Sequence, residues 1–94
     1  MDISYSYKKV GSKDEAYEKV KSEITPEYVE KFKVKADIDY NDSDKTIKAK
    51  GKGFGLDIIF KEDKVELGLD LSFLLKPLKS KILESFERKI EKLL

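Results

Sequence analysis

The side chains best suited to chemistry near neutral pH are missing. The 94 residues include no histidine and no cysteine. The usual general base, the commonest metal ligand, thiolate sites and disulfides are therefore excluded. Carboxylates, lysines, hydroxyls and a glycine cluster remain. Asp37 and Asp39 stand two apart, which puts both on one face of a strand, where paired carboxylates can exchange protons. Lysines flank them and no pocket is implied, so a solvated polar face is the simpler reading. The serines have no histidine to activate them, and no Ser–Lys spacing stands out. The expectation is a protein that is not an enzyme, with no catalytic residue, metal or cofactor.

Three other patterns suggest ligands. Gly51, Gly53 and Gly55 resemble a phosphate cradle, but such a loop must lead into a helix N-terminus. Here the glycines lead into an alternating stretch, so a bend or close backbone approach fits better. Asp39, Asn41 and Ser43 resemble the start of a calcium loop. Asp44 then stands where that loop needs glycine, and Lys50 where it needs a bidentate glutamate. Lys45, Lys48, Lys50 and Lys52 form a basic stripe, with Lys33 and Lys35 placed to lie beside it. Nineteen of the 20 basic residues are lysine, and acidic residues number 19, leaving a net charge of +1. Base readout and phosphate clamps favour arginine, and single-strand binders need exposed aromatics among the charges. Cross-strand pairing of the stripe with Asp37 and Asp39 is expected, and no nucleic-acid partner.

The elements that position these residues follow from periodicity. Ile3, Tyr5 and Tyr7 alternate with polar residues as a first strand. Ser12 and Glu15 form a capping box for a helix carrying Ala16, Tyr17, Val20 and Ile24. That helix ends near Thr25, and Thr25-Pro26 can open a short second segment packing Tyr28, Val29 and Phe32. Four further alternating runs follow: Val34 to Tyr40, Ile47 and Ala49, Phe54 to Phe60, and Val65 to Leu71. Short turns join them into an antiparallel meander. The last segment is a helix with Leu78, Ile82, Phe86, Ile90 and Leu93 along one stripe, with Ser72 as candidate cap and Pro77 in its first turn. The order β-α-β-β-β-β-α predicts one α+β domain over residues 1–94. Two helices cover a curved antiparallel sheet in two layers, the C-terminal one across the concave face. The partner of the first strand does not follow from the pattern. A free edge strand leaves room for a homodimer. No apolar run approaches the roughly 18 residues of a spanning helix, and no signal peptide opens the chain, so a cytoplasmic protein is expected.

One segment is out of keeping with so polar a chain. Leu71-Ser72-Phe73-Leu74-Leu75-Lys76-Pro77-Leu78 crowds five large apolar residues into the junction between strand and helix. Either the junction plugs the end of the core, or some of Phe73, Leu74, Leu75 and Leu78 form an exposed contact patch, with Lys76 and Lys79 as its basic rim.

The order of these segments resembles the polyhydroxyalkanoic acid system protein family, encoded near genes for storage-polyester granules. The resemblance is carried by Ile3-Ser4-Tyr5-Ser6-Tyr7, the acidic helix start Asp14-Glu15-Ala16 and Gly51-Lys52-Gly53-Phe54-Gly55-Leu56. Its strongest part is the ending, from Val65-Glu66-Leu67 through Leu74-Leu75-Lys76-Pro77-Leu78-Lys79 to Ile82 and Ile90. Family members often carry a histidine after the first strand, where this chain has Lys8-Lys9-Val10. The resemblance implies a non-enzymatic protein linked to polyester granules and supplies no functional residues. The expected partner is the granule surface or a granule protein. Alternative readings are a scaffold domain without a ligand, natural or engineered, and a small apolar-ligand carrier.

Overall fold

Every alternating run of the sequence forms a strand in the computed structural model, which describes residues 1–94. The strands are β1 (Ile3–Ser6), β2 (Ala36–Asn41), β3 (Thr46–Gly51), β4 (Phe54–Phe60) and β5 (Lys64–Leu71). They build one antiparallel sheet in the order β1-β5-β4-β3-β2. The meander from β2 to β5 is as expected, and the first strand closes on β5, pairing Ile3 with Leu67 and Tyr5 with Val65. The architecture is α+β.

The helices are α1 (Lys13–Glu23), α2 (Pro26–Glu30) and α3 (Lys79–Leu93), the last preceded by a 3-10 turn, Lys76–Leu78. Capping explains the first two. The Ser12 hydroxyl accepts from the Glu15 N–H at 3.2 Å, while the Glu15 carboxylate reaches back to the Gly11 N–H at 3.1 Å. Thr25 caps α2 by accepting from the Tyr28 N–H, with Pro26 at the first helical position. The expected cap on the last helix is a correction. Ser72 lies well upstream of α3, because the 3-10 turn around Pro77 intervenes, and α3 begins after Leu78 with no side-chain cap.

Burial follows the alternation. On the inner face Ile47, Leu56, Ile58, Val65 and Leu67 are almost fully buried, under Tyr17 and Val20 of α1 and Ile82, Phe86 and Ile90 of α3. Each such side chain contributes about 1.5–3 kcal/mol when removed from water. Helix α3 packs on β1 and β5, α1 on β4, and α2 on β2. Tyr28, Phe32 and Phe86 form an aromatic cluster where α2 meets α3, with ring centroids 5.5–5.7 Å apart. No buried polar side-chain atom lacks a partner.

Two glycines sit where a Cβ would be crowded, Gly51 against the Lys35 carbonyl and Gly53 at 2.6 Å from the Ser72 hydroxyl oxygen. A Cβ on Gly51 would lie 2.1 Å from the Lys35 carbonyl oxygen, so the chain entering β2 crosses hard against the end of β3. Gly53 holds φ +73° in the two-residue turn between β3 and β4. Two of the run's three glycines are therefore structural, while Gly55 has room for a Cβ.

Candidate functional site

The basic stripe survives only in part on the folded chain, and carboxylates face it. Lys48 and Lys50 face outward, directly opposite Asp39 and Asp37 on β2, and Lys48 also faces Asp57 on β4. Lys45 leaves the stripe altogether. It sits in the β2–β3 turn with φ +56°, pairs with Asp14 at 3.7 Å and lies over the Tyr17 ring. Both flanking lysines precede β2: Lys35 lies beside Lys50 and Lys52 as expected, while Lys33 lines a separate cleft with Lys31 and Lys81. A shallow depression of about 460 Å³ lies on the outer face, around Gly55, between Lys48, Lys50, Asp57 and Asp70. Its charges alternate in sign, which leaves no net attraction for an ion.

The carboxylates of the turn Asn41-Asp42-Ser43-Asp44 serve structure. Asn41 Oδ1 accepts from the N–H groups of Ser43 and Asp44, an Asx turn. Asp42 accepts from the buried Tyr17 hydroxyl at 2.6 Å and from Lys21 at 3.0 Å. The Tyr17 hydroxyl, and after it Lys21, hold the Asp42 carboxyl below its ordinary value, while burial pushes the Tyr17 hydroxyl up. This cluster fastens the turn to α1. No group of acidic side chains is arranged to hold a metal ion.

The crowded junction has a definite geometry. The ladder between β4 and β5 ends with Leu71 opposite Phe54, and the Ser72 N–H then donates to the Gly53 carbonyl at 2.9 Å. The Ser72 carbonyl accepts from the N–H groups of Leu75 at 2.9 Å and Lys76 at 3.0 Å. Residues 72–75 therefore form a hydrogen-bonded turn with Phe73 and Leu74 at its centre. Turn centres normally hold Gly, Pro, Asn or Asp. Here they hold two large apolar side chains, exposed to 85% and 84%.

The six residues singled out at this junction part company. Phe73 and Leu74 are fully presented, Lys76 is exposed, and Leu78 is exposed to 37%. Leu75 points back, half-buried, and packs against the core. Lys79 is half-buried and pairs with Asp2 at 3.3 Å, and Asp2 itself accepts from the Leu69 N–H at 2.8 Å. That backbone bond first, then Lys79, holds the Asp2 carboxyl below its ordinary value. The free rim is supplied by Lys76 alone among the two lysines expected there.

Sequence reasoning missed a second feature beside this turn. Lys31, Phe32, Lys33, Leu78, Lys81 and Ile82 line a cleft of about 230 Å³ where the end of α2 meets the start of α3. Leu78 joins the cleft to the exposed turn. No periodicity signals such a cleft, because it depends on how α2 and α3 meet. The space between α3 and the sheet, where an apolar-ligand carrier needs its pocket, is filled by Ile82, Phe86, Ile90 and Leu94. No helix is long and apolar enough to cross a membrane.

No curated protein and no solved structure matches the chain. One family model does, that described as "Putative polyhydroxyalkanoic acid system protein", over residues 11–94. The matched residues run from the cap of α1 to the end of α3 and leave out β1. With nearly all of its elements inside the match, the chain belongs to the polyhydroxyalkanoic acid system protein family.

Proposed function

We propose that this protein is a non-enzymatic, cytoplasmic accessory protein that binds the surface of polyhydroxyalkanoate granules. The observation that carries the reading is the turn that fixes Phe73 and Leu74 outward. A closed turn presents these side chains with little further ordering to be lost on docking, and burying them supplies the driving force. Leu78 extends the apolar contact, and Lys76 gives it a basic edge. A polyester surface is apolar and carries carboxyl chain ends, which suits both parts. A scaffold without a ligand gives no reason for two exposed apolar residues at a turn centre, where polar residues fold as well.

Co-sedimentation of the purified protein with amorphous polyhydroxyalkanoate granules, across a salt series, tests the proposal. Binding that survives high salt is expected, because the apolar contact is not screened. Protein that stays in the supernatant at low salt would overturn it. Protein that binds only granules carrying their native protein coat would assign the turn to a granule protein.

A further inference from the structure

The cleft beside the turn has its own chemistry. Its apolar wall is Phe32, Leu78 and Ile82, and its charged groups are the ammonium ends of Lys31, Lys33 and Lys81. No carboxylate lines it, and none of the three lysines takes part in an ion pair. Lys31 lies over the Tyr28 ring at 5.7 Å, and the other two have no side-chain partner. Three uncompensated cations beside an apolar wall complement an anion with an apolar tail.

Lys33 adds a second, independent observation. It holds φ +63°, and its N–H donates to the Glu30 carbonyl at 2.9 Å, which closes the end of α2. Glycine or asparagine usually takes that place, and another residue there is strained. The chain's other left-handed non-glycine residue, Lys45, has its ion pair and its aromatic ring as compensation. Lys33 has no such partner within the protein. Strain held at an unpartnered charge points to a function for the charge.

We infer that the cleft seats the carboxylate end of a short acyl chain, an alkanoate or 3-hydroxyalkanoate anion. The carboxylate meets Lys33, Lys31 and Lys81, and the first carbons of the chain lie along Phe32, Leu78 and Ile82. A volume of about 230 Å³ falls below that of pockets for drug-sized ligands and suits a few carbons. The terminal carboxyl of a hydroxyalkanoate polymer presents the same group as the free acid.

Amide chemical shifts followed by NMR during titration with sodium octanoate and 3-hydroxyoctanoate test this. Saturable shifts confined to residues 31–33 and 78–82 are expected, with octanol binding about tenfold more weakly or worse, since it lacks the charge. Lys33→Gly relieves the backbone strain and removes one cation. It should raise the melting temperature and weaken octanoate several-fold, a combination that a merely structural lysine would not give. No shift at millimolar octanoate, equal binding of octanol, or unchanged affinity in Lys33→Gly would each overturn the inference. Tighter binding of octyl phosphate would overturn the carboxylate assignment. Release of granule-bound protein by octanoate would assign the site to polymer chain ends, and retention would assign it to the free acid. The inference stands apart from granule docking: a variant lacking the Phe73 and Leu74 side chains should keep its octanoate shifts.

Discussion

Replacing Phe73 and Leu74 together by serine separates adsorption from folding. Full burial of a Phe or Leu side chain contributes about 1.5–3 kcal/mol. Both are more than four-fifths exposed in the free protein, so nearly all of that free energy is still to be gained on docking. A side chain lying on a surface is covered on roughly one side, which halves the contribution. Two such residues then supply about 1.5–3 kcal/mol, or about 10- to 100-fold in affinity. The folded state should hardly notice, because exposed substitutions usually stay within about 0.5 kcal/mol. Leu75 is the wrong residue for this experiment, since it packs against the core and its truncation would mix unfolding with loss of contact.

The assay is a granule-binding isotherm for wild type and Phe73→Ser/Leu74→Ser, beside thermal unfolding of both. The expected outcome is a curve shifted 10- to 100-fold with an unchanged melting temperature. Superimposable isotherms would refute the argument that this turn is the contact. A variant that loses binding and its unfolding transition together would refute the premise that these side chains are free of the core.

The remaining predictions concern the frame around the site. Gly51→Ala should destabilise the domain by about 2 kcal/mol or more in urea unfolding, because its Cβ would meet a backbone oxygen at 2.1 Å and only the chain entering β2 can yield. Tyr17→Phe should cost about 1 kcal/mol, and the Asp42 carboxyl, followed by carbon-detected NMR, should titrate closer to its ordinary value of 3.8. Stability should be flat between about pH 5 and pH 8, since the chain has no histidine to titrate there. Asp2, Asp42 and Glu66 are held low in the folded state, by the Leu69 N–H, the Tyr17 hydroxyl and Lys61 respectively, so their contribution is complete above the ordinary values of 3.8 and 4.5 and is lost as pH falls through the lower folded ones. At the alkaline end burial raises Tyr7 to about 12 and Tyr17 also upward, so stability should fall as pH rises past their ordinary value of 10.0; melting temperatures measured across pH check both limbs. Asp39→Val should promote self-association, measured by light scattering: antiparallel pairing of two β2 edges centred on Ile38 or Asp39 sets aspartate against aspartate, and the substitution removes that repulsion.

The fold was legible wherever one face of an element had to be apolar. Ile47, Ala49, Leu56, Ile58 and Leu67 recur at period two because each strand has one dry side, and their register follows from short turns. The caps at Ser12 and Thr25 were legible because an orphan N–H group has few local partners. What the pattern could not convey depends on residues distant in sequence. β1 pairs with β5 across about sixty residues, and nothing in Ile3–Ser6 names that partner. Apolar content at the junction suggested a contact, yet it could not separate Leu75 from Phe73 and Leu74. The difference lies in which way a hydrogen-bonded turn aims each side chain. Lys45 and Lys33 looked like members of one stripe, and only the backbone shows that each sits left-handed at a different bend.

Whole-chain arithmetic misleads most about charge. A net charge of +1 argues against any anionic partner only if the charges are mixed in space as they are in sequence. Several lysines have partners: Lys13 meets Glu62, Lys21 meets Asp42, Lys61 meets Glu66 and Lys89 meets Glu23. Others without an ion pair gather at one end of the sheet, where β2 begins, the β3–β4 turn closes and β5 exits. Lys35 and Lys52 stand there, Lys76 follows the exposed turn, and Lys31, Lys33 and Lys81 line the cleft next to it. The opposite end is mixed, with Asp42, Asp44, Glu62 and Asp63 in its turns beside Lys45, Lys61 and Lys64. Six lysines without an ion pair thus lie at the end that also presents Phe73 and Leu74. Electrostatic attraction would turn that end toward an anionic surface before any apolar contact forms. Salt should accordingly slow adsorption to granules while leaving the final, apolar contact in place. In the proposed docking, association and dissociation rates therefore carry different information: salt should act on the first, and loss of the Phe73 and Leu74 side chains on the second.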